Sequence, residues 1–361
     1  MKKLKLSHGV EYILSLVISI MLALIIGALI IIANGKSPLE AYAALINGSL
    51  GSPYKIATTL AKTVPLILTG LATAVAFSSG IFNIGGEGQL YLGAFATAYA
   101  GFTFTNLPRI VGIPAALIFA ALTGGLYALI PALLKVKYKI DEVITTIMFN
   151  SIAILFTGYL ANYPFASSVG KMGATEMISP AYKLTRLVAR SKLHTGIFFT
   201  AVIALAIYYI MEKTSAGYDF KMIGSNLNFA KYGGINAERN MVIAMIISGA
   251  LCGIAGAFEV LGNHYRFLQA ISPGYAFDGM LVSLIVKNNV VGVILMSIFF
   301  GMLKTGSIAM EYETAIPSEL VLVIQSVIIL FIAGEKGFAQ IAKSLNKKEG
   351  VKSRCIRKSS I

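Results

Sequence analysis

Long uncharged stretches alternate with short charged ones along this chain. Tyr12–Ala33 runs 22 residues without a charged side chain, and apolar stretches follow at 63–79, 88–104, 110–134, 143–161 and 196–211. In the second half they lie at 240–261, 279–286, 290–310 and 319–333. Most have the roughly 20-residue length with which a helix crosses a bilayer. The pattern predicts an all-α polytopic membrane protein of about ten transmembrane helices, that at 279–286 conspicuously short. A secretory signal would have a shorter apolar region and a small-x-small cleavage site. Ala33-Asn34-Gly35 is a poor one, so the first stretch is expected to be a retained span.

Five spans in each half would start the halves on opposite sides, so a repeat of five is expected to be inverted. Each half also carries a Gly-rich interruption, GIFNIGGEG at 80–88 and SPGYAFDG at 272–279. Paired breaks of this type point to a transport pathway, because backbone freed from a helix must be covered by protein or face water. Asn83, Gly85, Gly86, Glu87 and Gln89, with Tyr275 and Asp278 from the other half, are the expected pathway residues and suit a polar, neutral solute. The alternative is two ordinary tight turns, with Asn83 capping a half-helix and Glu87 in its first turn, where the helix dipole favours an acid. Glu259 and Lys304 are intramembrane charges, which rarely face lipid. They pair with each other, or Lys304 snorkels. Asn150 and Gln325 read as interhelical glue.

Composition sharpens the picture. The chain of 361 residues is 57% hydrophobic and 13% charged, with mean hydropathy +0.78. A soluble domain carries about a quarter charged residues, so a soluble enzyme is excluded. The net charge of +14 reads as basic loops facing a cytoplasm and anionic headgroups rather than nucleic acid. With the N-terminus inside, the inner segments hold 19 of the 30 Lys and Arg. Lys171, Lys183, Arg186, Arg190 and Lys192 in one outer loop weaken that asymmetry without reversing it. Both termini are therefore expected in the cytoplasm, with a short N-terminus at 1–11, a membrane domain at 12–334 and a basic tail at 335–361. Cys252 and Cys355 give no disulfide framework, and His8, His194 and His264 are scattered, so no metal site is expected. There is no phosphate-binding G-x-x-x-x-G-K-[ST] loop, no H-E-x-x-H and no Ser/His/Asp constellation in the spans. No catalytic residue or cofactor is expected. Uphill transport would draw on an ion gradient or on another subunit. The inner loop 212–239 favours a subunit: Ser225 or Asn226 can start a short helix and Gly233 can end it, giving a partner something to grip. A solvated linker is the plainer reading.

At these residues the chain resembles a known family. GIFNIGGEGQLYLGA at 80–94 is similar to the signature of the permeases of ABC importers for branched-chain amino acids, simple sugars and nucleosides. The inner loop resembles that family's coupling segment, T-x-x-G-x-x-x-x-A-x-G-x-N-x-x-A-A-x-x-x-G-I. Thr214, Gly217, Gly224, Asn226, Ala230, Gly234 and Ile235 match, while Met222 stands where alanine is usual and Phe229 replaces the first paired alanine. DEVITTIMFN at 141–150 and SPGYAFDGMLVS at 272–283 look most like the nucleoside branch, whose receptor is a purine-nucleoside lipoprotein. The resemblance covers about residues 10–335. It implies a non-enzymatic, multi-pass cell-membrane subunit working with an ABC ATPase that binds the ATP, a second permease (paralogue or identical copy) and an extracytoplasmic solute-binding lipoprotein. Gly217, Gly224, Asn226, Ala230 and Gly234 would couple it to the ATPase. A sugar or branched-chain amino-acid permease is the nearest alternative. A proton-driven secondary transporter using Glu87, Glu259 or Asp278 is a further one.

Overall fold

The computed structural model describes residues 8–168, 173–188 and 190–333; Lys171 of loop 163–195, the first seven residues and the basic tail lie outside the described residues. The helices are α1 (His8–Ala33), α2 (Pro38–Leu50), α3 (Pro53–Ser78), α4 (Gly86–Thr103), α5 (Arg109–Tyr138), α6 (Glu142–Asn162), α7 (Gly196–Lys213), α8 (Ser215–Ser225), α9 (Leu227–Tyr232), α10 (Ala237–Phe258), α11 (Tyr275–Ile285), α12 (Val290–Thr314) and α13 (Leu320–Ala333). A π-helical turn, Glu259–His264, extends α10. No β-strand occurs among the described residues, only isolated bridges such as Ala174–Leu268 and Arg186–His194.

Each of the ten apolar stretches falls in a helix. Among the described residues α3, α5, α6, α7, α12 and α10 with its π-turn are long and apolar enough to cross a membrane, six in all, or seven counting α1 and α2 as one span bent by 120°. The fold class is the all-α membrane architecture that the pattern predicts. Helix α2 was not foreshadowed, because Glu40, Asn47, Gly48 and Ser49 dilute its apolar character. Pro38 in its first turn and the Ser37 hydroxyl, which accepts from Glu40 N at 3.4 Å, start it.

The described residues divide into two compact units, one of 8–44 with 310–333, the other within 45–309. In the first, α1 packs on α13 and the Tyr42 hydroxyl donates to Leu24 O at 2.6 Å. In the second, α10 is central, packed on α3, α4 and α5. Gly93 of α4 lies against Gly253 of α10, Gly124 of α5 against Gly249, and Gly256 against the Leu90 carbonyl; a Cβ at any of these would overlap backbone. Lipid is as apolar as leucine, so helices in a membrane gain little from burying leucine and associate through such close approach. Ile110, Leu155, Val202 and Leu205 on α5, α6 and α7 are left widely exposed, as a lipid-facing surface requires.

Loop 163–195 is pinned to the chain after α10. Thr175 N donates to Phe267 O, Ile178 N to Tyr265 O and Leu184 N to Leu261 O, at 2.9–3.1 Å. Lys183 and Arg186 stand over the Tyr265 ring at 5.0 and 5.6 Å, so two charges of this loop's basic cluster are held by an aromatic face.

Candidate functional site

The first break, residues 79–85, separates α3 from α4. Its polar side chains are buried and face one another: Asn83 Nδ2 donates to Gln89 Oε1 at 2.9 Å and lies 2.8 Å from Ser248 Oγ, while Gln89 Nε2 returns to Asn83 Oδ1 at 3.1 Å. Asn83 does not cap α4 from the N-cap position, which Gly85 holds. It instead accepts from Gly85 N at 3.0 Å, bracing the turn. Asn150 Oδ1 accepts from Gly88 N at 2.7 Å and its Nδ2 donates to Ile84 O at 2.8 Å. One amide thus satisfies backbone that neither helix can, the glue role expected of it. Gln325, assigned the same role, is buried in α13 with Nε2 lacking a partner among the described residues.

The second break meets the first directly. Glu87, in the first turn of α4, accepts from Ala276 N in the first turn of α11 at 3.0 Å. Gly86 is the reason the two turns fit: a Cβ there would stand 3.1 Å from both Ala276 Cβ and Cys252 Sγ. Gly274, at φ +87, reverses the chain into α11, a left-handed geometry that favours glycine. Ser272 Oγ accepts from Gly274 N and Tyr275 N at 3.2 and 3.1 Å. Thr69 Oγ1 of α3 reaches Tyr275 O at 3.0 Å. The sequence pattern names both breaks but not their junction, because a contact across 189 positions leaves no local signal.

Lys304 resolves differently from the pairing expected with Glu259. It forms an ion pair with Asp278 of α11 and stands 5.4 Å over the Tyr275 ring. Glu259 instead engages the π-turn through one oxygen: Asn263 Nδ2 donates to its Oε2 at 2.9 Å and His264 Nε2 lies 3.7 Å away. The physical reason is local geometry: the π-turn brings the side chain four positions on against Glu259, while Lys304 of α12 reaches Asp278 of α11. Lys62, which sequence reasoning passed over, donates to Lys304 O at 3.0 Å.

Loop 212–239 forms two helices. Thr214 caps α8 through Gly217 N at 3.4 Å, and Asn226 caps α9 through Phe229 N at 3.1 Å. Gly217 lies against the Ile210 and Met211 carbonyls, and Gly234, at φ +80, turns the chain toward α10. Gly224 meets the first break itself: its missing side chain leaves room for the Ser78 carbonyl, and a Cβ on Gly80 would stand 3.3 Å from Gly224 Cα. Ala230 is fully buried against Ile223 and Ala237 of its own chain. The rest of α9 is exposed, Phe229, Lys231 and Tyr232 included, the last 92% exposed.

The profile of the family described as branched-chain amino acid transport system / permease component matches residues 55–333. The chain is 38% identical over 336 residues to the guanosine ABC transporter permease protein NupP of Bacillus subtilis, covering 92% of this chain and 96% of that protein. It is 32% identical over 353 residues to the nucleoside ABC transporter permease protein NupB of Lactococcus lactis, covering 93% and 97%. It is 30% identical over 332 residues to the glucose ABC transporter permease protein TsgB13 of Haloferax volcanii, covering 89% and 87%. No solved structure matches it.

Proposed function

Because the chain belongs to the permease family of branched-chain amino acid transport systems, we propose that it is the membrane-spanning permease subunit of an ATP-driven importer and forms the pathway for nucleosides delivered by an extracytoplasmic binding protein. Two of the relatives it resembles over most of its length are named for guanosine and nucleoside transport. ATP is bound by a partner ATPase, and a second permease, paralogue or copy, completes the membrane part. Both termini and loop 212–239 face the cytoplasm.

The observation that carries the mechanism is the seat of Gly224 on Ser78 and Gly80. The end of α8 thereby lies against the first break, with backbone on backbone and no flexible side chain between. Displacement of α8 and α9 by the ATPase thus bears on Asn83, Gly85, Gly86, Glu87 and Gln89. Through Glu87 and Ala276 it bears on Tyr275 and Asp278. The polar groups at the junction satisfy one another in this structure, and the pathway opens by exchanging those bonds for bonds to solute and water, a cheap exchange because few are left unmade in either arrangement.

Membrane vesicles containing the chain, its second permease and the ATPase, supplied with the binding protein, test the reading. Labelled guanosine should accumulate with ATP and survive a protonophore. Accumulation that collapses with the protonophore and ignores ATP would instead support the secondary-transporter alternative.

A further inference from the structure

The larger unit contains a cavity of about 400 Å³ between α3, the π-turn and the segment leading into α11. Small-molecule pockets span roughly 300–1,000 Å³. Lys62, Glu259, Asn263 and Tyr275 line it together with Ile271, and the exposed Lys192 marks its rim. Its polar wall is unfinished. Glu259 is 2% exposed, and its Oε2 is occupied by Asn263 Nδ2, while Glu259 Oε1 and Asn263 Oδ1 are both buried without a hydrogen-bond partner among the described residues. Residues four apart sit one above the other on one side of a turn, so the two open acceptors belong to the same stretch of wall. Of the cationic side chains in the lining, Lys62 is committed to Lys304 O at 3.0 Å, and His264 Nε2 lies 3.7 Å from Glu259 Oε2, not at the open Oε1. Buried acceptors of this type are normally satisfied, and an exception asks for an explanation.

We propose that this cavity is a base-recognition subsite of the transport pathway, in which Glu259 and Asn263 read a purine edge bearing adjacent N–H donors. The proposal rests on the nucleoside reading above. Guanine presents N1–H and the exocyclic N2–H₂ side by side, and both find acceptors in the carboxylate and the amide oxygen. Adenine offers a donor beside an acceptor at the same edge, which sets its N1 against an oxygen. The planar Tyr275 ring and Ile271 supply the apolar surface that a base needs. A hexose carries no such edge. The same donor–acceptor logic lets carboxylates accept from base amino groups and lets Gln or Asn pair with adenine.

The logic makes Glu259→Gln informative, since an amide offers one donor and one acceptor and suits adenine. The readout is the ratio of initial guanosine to adenosine uptake by the intact importer in vesicles, with the same binding protein throughout. The ratio should fall at least about tenfold in Glu259→Gln, because a site built to pair a group rejects the analogue lacking it. Asn263→Ser, at a half-buried position, should lower it in the same direction. It decides the matter if Glu259→Gln fails to reach wild-type membrane levels. Rates that fall together at an unchanged ratio, or that do not fall, overturn the subsite and leave the nucleoside reading standing. A wild-type importer that carries no nucleoside overturns both.

Discussion

At the scale of single residues, the junction of the two breaks depends on small side chains. Gly86→Leu would push bulk between Ala276 and Cys252, each 3.1 Å from the position of a Cβ, and overpacking of this kind costs about 1–3 kcal/mol. Uptake should fall strongly while the protein still inserts, since most of its spans are untouched. Gly85→Leu meets Asn83, Thr146 and Gln89 at 3.2–3.3 Å and should disturb the amide pair as well. Uptake assays against membrane levels decide, and normal transport by both variants would remove the breaks from the pathway. His194 gives a second residue-scale expectation. It is buried against Phe258, accepts from Gly196 N, and burial holds its pKa down to about 4 from 6.5. The fold therefore favours the neutral ring and the unfolded loop binds the extra proton. The stability that it contributes is complete above pH 6.5 and is lost as pH falls toward about 4. The protection factors of amides near His194, with exchange corrected for its intrinsic pH dependence, should fall between pH 7 and 5, and His194→Phe should flatten that dependence.

At the scale of elements, α9 shows what a helix pattern can and cannot tell. Asn226 and Gly233 as its two ends were legible, because a cap is a local event. The direction of its faces was not. Ala230 matches the small position of the coupling motif, yet it packs on Ile223 and Ala237, so its size serves the loop's own fold. Ala230→Glu would bury an unpaired charge at a cost of several kcal/mol and should collapse α8 and α9 rather than test a partner directly. Tyr232→Ala and Phe229→Ala change exposed side chains. They should reduce ATPase co-purification severalfold at normal membrane levels, and retention of the ATPase by the double variant would exclude α9 as the gripping element. The ten apolar stretches were readable for the same local reason as the caps. The partners of Lys304 and Glu259 were not, since they depend on which helices meet and on a π-turn that no residue of Glu259–His264 announces.

At the scale of the whole molecule, sidedness is the first thing to measure. Cysteines at Leu187 and Ser225, both exposed, in a background lacking Cys252 and Cys355, should label from opposite faces of the membrane. Labelling from one face would revise the path of the chain between them.

The contact between Gly224 and Gly80 has a thermodynamic corollary. A coupling free energy between two sites is reciprocal. If the nucleotide state of the ATPase alters the affinity of the pathway for solute by some factor through this contact, an occupied pathway must alter the affinity of the ATPase for nucleotide by the same factor. Saturating guanosine should therefore shift ATP binding by the detergent-purified complex, even without the binding protein. Gly224→Val, whose side chain would collide with the Ser78 carbonyl, should abolish both halves of that reciprocity together. Losing one half while keeping the other would mean that the two sites communicate by a different route.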